Sequence, residues 1–204
     1  MSSEAFENAL SFTLSWEGGY VNHPADRGGA TNKGVTQKVY TEWLLRQGRE
    51  DTDVRDLTDG DLHAIYEDNY WTPCGCPDLG APLEQIQFDT AVNMGPKRAV
   101  RFLQQAVGAD VDGAYGDGTR RCAAQCDPGD AAQKYLAARQ AFYQAIVDRD
   151  PTQQVFMKGW TNRIRALGKH VGLVGFESAF DGVDLGGAAY MGRVPDIGEE
   201  GSYD

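Results

Sequence analysis

The 204-residue chain carries 19 Lys and Arg against 30 Asp and Glu, a formal charge of −11, with 41% apolar and 10% aromatic residues. That composition permits a packed core, in one large domain or a medium and a small one, and excludes wholesale disorder. The negative field argues against a nucleic-acid partner and against long-range attraction to anionic surfaces, but leaves open an uncharged polymer held by stacking and hydrogen bonds.

In chain order the pattern is nearly all helical. Residues 4–16 place Phe6, Leu10 and Leu14 on one face beside Ala9 and Thr13, with Glu4 and Glu7 in the first turn where they suit the helix dipole. Gly18-Gly19 ends that helix. Over residues 20–36 the turn formers Asn22, Pro24, Asp26, Gly28-Gly29, Asn32 and Gly34 alternate with Val21, Thr31 and Val35, which predicts a loop or a small irregular β-hairpin. Helix resumes at Thr36 or Gln37, with Val39, Tyr40, Trp43 and Leu44 on one face and Gly48 closing it. Thr58-Asp59-Gly60-Asp61, an acidic variant of a capping box, opens a helix through Leu62, Ile65, Tyr66 and Tyr70. Pro73 and Cys74-Gly75-Cys76-Pro77 then break the chain. Residues 83–93 form a helix apolar on more than one side through Ile86, Phe88, Ala91 and Val92, as a central element would be.

Gly95-Pro96 marks a joint, and Pro96 opens a second unit whose first helix has the stripe Ala99, Val100, Leu103 and Val107. A glycine-studded turn from Gly108 to Thr119 leads into a further helix, followed by helices over 131–147 and 155–170. Beyond 171 the chain turns glycine-rich and acidic without periodicity, as a linker or adhesive arm would. The expected organisation is therefore 4–94, 95–170 and a tail at 171–204, in a mainly α fold. No apolar run reaches the roughly 20 residues of a bilayer span. Met1-Ser2-Ser3-Glu4 lacks a basic n-region, so neither membrane insertion nor a secretory signal is expected.

The four cysteines, Cys74, Cys76, Cys122 and Cys126, lack C-x-x-C spacing and have no histidine close in sequence. They read as free, partly buried thiols in a reducing compartment rather than as a zinc site, and no metal or other cofactor is expected.

Cleavage of a glycosidic bond needs a carboxylic acid to protonate the leaving oxygen and a second group to aid water or stabilise the oxocarbenium-like state. Glu17 ends an apolar helix behind Trp16, and the two glycines after it leave room for a bulky polymer. Asp26, with Thr31 or Thr36, follows on a loop able to fold back across the helix end. Each also has a plain reading, Glu17 as an exposed helix-end residue and Asp26 as an ordinary turn aspartate. Tyr20, Tyr66, Tyr70 and Trp71 are candidate sugar-stacking aromatics, although aromatics at helical spacing equally serve a core. Asn93 fits either an acetamido contact or a helix C-cap.

The runs Trp16-Glu17-Gly18-Gly19-Tyr20-Val21-Asn22, Pro24-Ala25-Asp26 and Gly28-Gly29-Ala30-Thr31-Asn32-Lys33-Gly34-Val35-Thr36-Gln37 resemble the signature of glycoside hydrolase family 108, lysozyme-superfamily N-acetylmuramidases of phages and bacteria. Val54-Arg55-Asp56-Leu57-Thr58, Asn69-Tyr70-Trp71 and Phe88-Asp89-Thr90-Ala91-Val92-Asn93 are further runs of that kind. The resemblance implies a lysozyme-like catalytic domain with Glu17 as its acid. It also implies a helical peptidoglycan-binding unit behind it, carried by Val100-Arg101-Phe102-Leu103-Gln104 and Val111-Asp112-Gly113. Asp26 and Thr31 echo the Glu–Asp–Thr order of phage-type lysozymes, whereas His23 stands where an acidic or small residue is expected.

The implied partner is bacterial peptidoglycan, together with phage tail or baseplate proteins if the tail docks on them. The implied setting is the host cytoplasm before holin-mediated release, or the virion. Two competing classes are a virion or wall-binding protein with a vestigial site, and a zinc amidase or Cys/His peptidase. Only His23, His63 and His170 are present for the latter, with no recognisable nucleophile motif.

Overall fold

The computed structural model describes residues 3–22 and 29–173, so Asp26, His23 and residues 174–204 of the expected tail lie outside the described residues. Within them the chain is mainly α, as the periodicity predicts, with eight α-helices and one two-stranded antiparallel hairpin. None of these helices is long and apolar enough to cross a membrane. The contacts divide the chain into two compact units, Met1–Pro73 and Cys74–Asp204. This division lies upstream of Gly95-Pro96 because the helix at Leu83–Met94 packs on the helices at Pro96–Val107 and Pro128–Arg149.

In the first unit α1 (Glu4–Leu14) starts at Ser3, whose hydroxyl accepts the Phe6 N–H at 3.2 Å, and buries Phe6, Ala9, Leu10 and Thr13. It ends two residues earlier than residue 16, leaving Trp16 and Glu17 on the turn beyond it. The hairpin β1 (Thr31–Asn32) and β2 (Val35–Thr36) pairs Thr31 with Thr36 and Asn32 with Val35. Its two-residue turn has φ of +48° at Lys33 and +79° at Gly34, the mirror-image geometry that matches strand twist. A bridge from Val21 to Thr31, two bonds of 2.8 Å, closes the base of the intervening segment.

Thr36 caps α2 (Gln37–Arg46), accepting from the Val39 N–H at 3.3 Å. Thr58 caps α3 (Asp59–Tyr66), accepting from the Asp61 N–H at 3.1 Å. The Asp61 carboxylate turns instead to Arg49, at 2.6 and 3.0 Å, and to the Tyr40 hydroxyl at 2.9 Å. The helix expected to run on through Tyr70 widens after Tyr66 into a π turn, Glu67–Trp71. That change of pitch re-aims the side chains after Tyr66 and lets Trp71 pack edge-on against Phe6, ring centroids 5.3 Å apart.

The second unit is built on α4 (Leu83–Met94), α5 (Pro96–Val107), α6 (Asp117–Gln125), α7 (Pro128–Arg149) and α8 (Gln154–His170). Most of the predicted apolar stripes are buried, with Val92, Val107 and Phe156 only half-buried, and α4 also buries Gln87, Asp89 and Thr90. Gln87 donates to the Cys74 carbonyl at 3.1 Å, and the Tyr135 hydroxyl lies 2.8 Å from the Gln87 amide oxygen. Asp89 is wholly buried between Arg139 of α7 and Arg163 of α8. Arg139 donates to it at 2.7 Å, and Arg163 forks onto it at 2.7 and 2.9 Å. The remaining Arg139 donors reach Thr90 at 3.1 Å, Asn93 at 3.1 Å and the Tyr143 hydroxyl at 3.4 Å.

Burial alone would push the Asp89 carboxyl upward, but the two guanidiniums outweigh it and hold it below the ordinary value of 3.8. A carboxyl whose folded-state pKa is depressed adds stability above its unfolded pKa and loses it as the pH falls through the folded-state value. The Asp89→Asn variant strands two buried cations, so it is expected to unfold about 3–5 kcal/mol more easily at neutral pH in urea titrations. The gap between variant and wild type should narrow below about pH 4; a gap independent of pH would show that Asp89 is not held as the carboxylate.

Candidate active site

Glu17 sits on the turn that leaves α1, its N–H bonded to the Leu14 carbonyl at 3.2 Å, and is half-buried. Gly18 and Gly19 follow it, and a Cβ built on either meets nothing within 4 Å among the described residues. The backbone just after Glu17 is thus uncrowded by the described residues.

The Glu17 side chain itself is confined by the hairpin turn. A Cβ at Gly34 would lie 2.5 Å from the Tyr66 hydroxyl, 3.1 Å from Glu17 Oε2 and 3.3 Å from Glu17 Cγ. Backbone without a side chain is therefore what fits between Tyr66 and Glu17, and the left-handed φ at Gly34 favours glycine independently. Tyr66 is buried, and its hydroxyl donates to the Lys33 carbonyl at 2.8 Å, fixing the turn against α3.

Further ties hold the hairpin in place. Asn32 donates to the Val54 carbonyl at 3.0 Å, Gln37 accepts the Val54 N–H at 2.7 Å, and Lys33 pairs with Asp59 at 2.9 Å. The Lys33 hydrogen bond lowers the Asp59 pKa.

The other candidates are distributed unevenly around this centre. Tyr20 is half-buried, its hydroxyl accepting from Arg55 at 2.9 Å while that guanidinium lies 4.7 Å from the ring centroid. Tyr70 is half-buried beside Tyr66, ring centroids 5.5 Å apart, and Trp71 is buried on Phe6. Thr31 lies in the hairpin, its hydroxyl 3.5 Å from the Gly29 carbonyl, and the Thr36 hydroxyl is engaged as the α2 cap.

Asn93 belongs to the second unit, where its amide oxygen accepts from Arg139 at 3.1 Å and from Tyr143 at 2.6 Å. All four cysteines are free thiols; burial pushes Cys74 up to about 12 and Cys76 well above its ordinary value. Among the described residues no group of three or more His, Cys, Asp and Glu is placed to hold a metal ion.

Sequence reasoning missed the part of Gly34, Lys33 and Arg55. For Gly34 a signal existed, since Asn32-Lys33-Gly34-Val35 is a two-residue hairpin turn with glycine at its left-handed position.

The family model described as "Glycosyl hydrolase 108" matches residues 10–95. The model described as "Predicted Peptidoglycan domain" matches residues 98–165. Among solved structures the chain is similar to SagA of Brucella abortus, at 34% identity and a TM-score of 0.69 over 83% of this chain and 95% of that one. A comparison with curated proteins finds no match. With the catalytic model lying over Glu17, the hairpin and Tyr66, and a peptidoglycan model behind it, the chain belongs to the glycosyl hydrolase 108 family and is a glycoside hydrolase directed at peptidoglycan.

Proposed function

We propose that the chain hydrolyses the bond between N-acetylmuramic acid and N-acetylglucosamine in peptidoglycan, with Glu17 as the general acid. The observation supporting this reading is the setting of the Glu17 side chain, confined beside Gly34, where Tyr66 also converges, on backbone that continues into two uncrowded glycines. In this reading the Glu17 proton passes to the glycosidic oxygen as the C–O bond breaks. Water then adds to the oxocarbenium-like carbon and gives up its own proton. Asp26 is proposed as the group that aids the water or stabilises the cation, with Thr31 as a contributing hydroxyl. Tyr20 and Tyr70, half-buried and aromatic, are proposed to contact the glycan.

Two variants test the assignment in a wall-clearing assay with purified peptidoglycan. Glu17→Gln keeps size and removes the transferable proton, so the rate is expected to fall about 10²–10⁴-fold with the melting temperature little changed. A variant as fast as wild type would remove Glu17 from the chemistry.

Gly34→Ala puts a methyl group where the Tyr66 hydroxyl and Glu17 now lie, on backbone that disfavours alanine. It is expected to lower kcat about a hundredfold by displacing the acid. A folded Gly34→Ala enzyme with wild-type kcat would show that the turn does not position Glu17.

A further inference from the structure

Within the second unit, the end of α5, the turn over residues 108–116 and the start of α6 enclose a groove of about 340 Å³. Its frame is rigid for a reason visible in one side chain. Gln104, 1% exposed, directs its amide nitrogen to Asp112 at 2.7 Å, the Ala114 carbonyl at 3.1 Å and the Thr119 hydroxyl at 3.1 Å. Its amide oxygen accepts the Gly113 N–H at 2.8 Å. One buried amide therefore ties both sides of the turn to the two helices, and a groove so braced loses little freedom when it is filled.

Two charged side chains line the groove and are used by nothing in the fold. Arg121 and Asp110 are both exposed, and neither side chain makes a hydrogen bond or ion pair among the described residues. Asp112, by contrast, is engaged with the Ala114 N–H at 2.8 Å and with Gln104, which hold its pKa down. Gly108, Gly116 and Gly118 add no side chain to the opening, and a Cβ at any of them would meet nothing within 4 Å. The groove thus offers one unpartnered guanidinium and one unpartnered carboxylate in a small polar hollow. A ligand bearing both an anion and a cation complements those two charges, and a neutral sugar does not.

We propose that this groove binds the zwitterionic amino-acid end of a peptidoglycan stem peptide, the –CH(NH₃⁺)–COO⁻ group that a diaminopimelate side chain carries and a lysine side chain lacks. Arg121 takes the carboxylate and Asp110 the ammonium. The proposal rests on the reading of the chain as a wall hydrolase and adds where, and by which chemistry, its second unit grips the wall.

The test is calorimetric titration of the full chain with the tripeptide L-Ala–γ-D-Glu–meso-diaminopimelate and with its lysine counterpart. The diaminopimelate peptide is expected to bind about tenfold more tightly. Arg121→Gln and Asp110→Asn should each remove about that factor for the diaminopimelate peptide, while Arg121→Gln leaves the lysine peptide unaffected. Both side chains are exposed and unbonded, so the variants should fold as wild type does, which circular dichroism checks. Equal affinity for the two peptides, or variants without effect, overturns the proposal.

Co-sedimentation of the full-length Glu17→Gln chain with diaminopimelate-type sacculi separates the two levels. Sedimentation without tripeptide binding sinks the groove and leaves the wall-directed reading standing; failure of both sinks the reading as well.

Discussion

At Gly34 the chain must turn with a positive φ, and it must do so where the Tyr66 hydroxyl and the Glu17 carboxylate converge on the space a side chain would need. These two demands, one of backbone conformation and one of volume, are met together only by glycine. The candidate site depends on them. The Lys33 carbonyl, exposed by the same turn, receives the Tyr66 hydroxyl, so α3 and the hairpin are locked where the exit from α1 brings Glu17. An acid held on turn backbone gains its precision from the neighbours that confine it, and here those neighbours come from two separate elements of the unit.

The second unit has a different organising interaction. One buried carboxylate, Asp89, answers two buried guanidiniums, and the three come from three helices. Any one of them alone would be costly to bury; together, with Thr90, Asn93 and Tyr143 taking the remaining donors, they specify how α4, α7 and α8 meet. Asn93 is drawn into this network. Its amide oxygen serves Arg139 and Tyr143 rather than standing at a helix end as a plain cap.

Helical periodicity in the sequence locates the elements well because most are amphipathic and bounded by caps or glycines. Ser3, Thr36 and Thr58 sit at observed N-caps, and Gly48, Gly95 and Gly108 follow the ends of α2, α4 and α5. The departure after Tyr66 was not legible. Tyr66 and Tyr70 have ideal helical spacing, and the contact that goes with the wider turn, Trp71 on Phe6, joins residues more than sixty positions apart in sequence. Likewise the place of Glu17 at the exit of α1 is legible from its glycine-rich run, but the side that walls it is not, since Tyr66 reaches Lys33 across 33 positions. Asp89 reads as one of several polar residues on its helix, and its partners stand 50 and 74 positions away.

Of the measurements that bear on this account, mass spectrometry of peptidoglycan digested by the wild-type enzyme and by Glu17→Gln is the most direct. The account predicts fragments with new reducing ends on muramic acid from the wild type, and none above background from the variant. New reducing ends on glucosamine, freed peptides, or an identical fragment pattern from Glu17→Gln would contradict it.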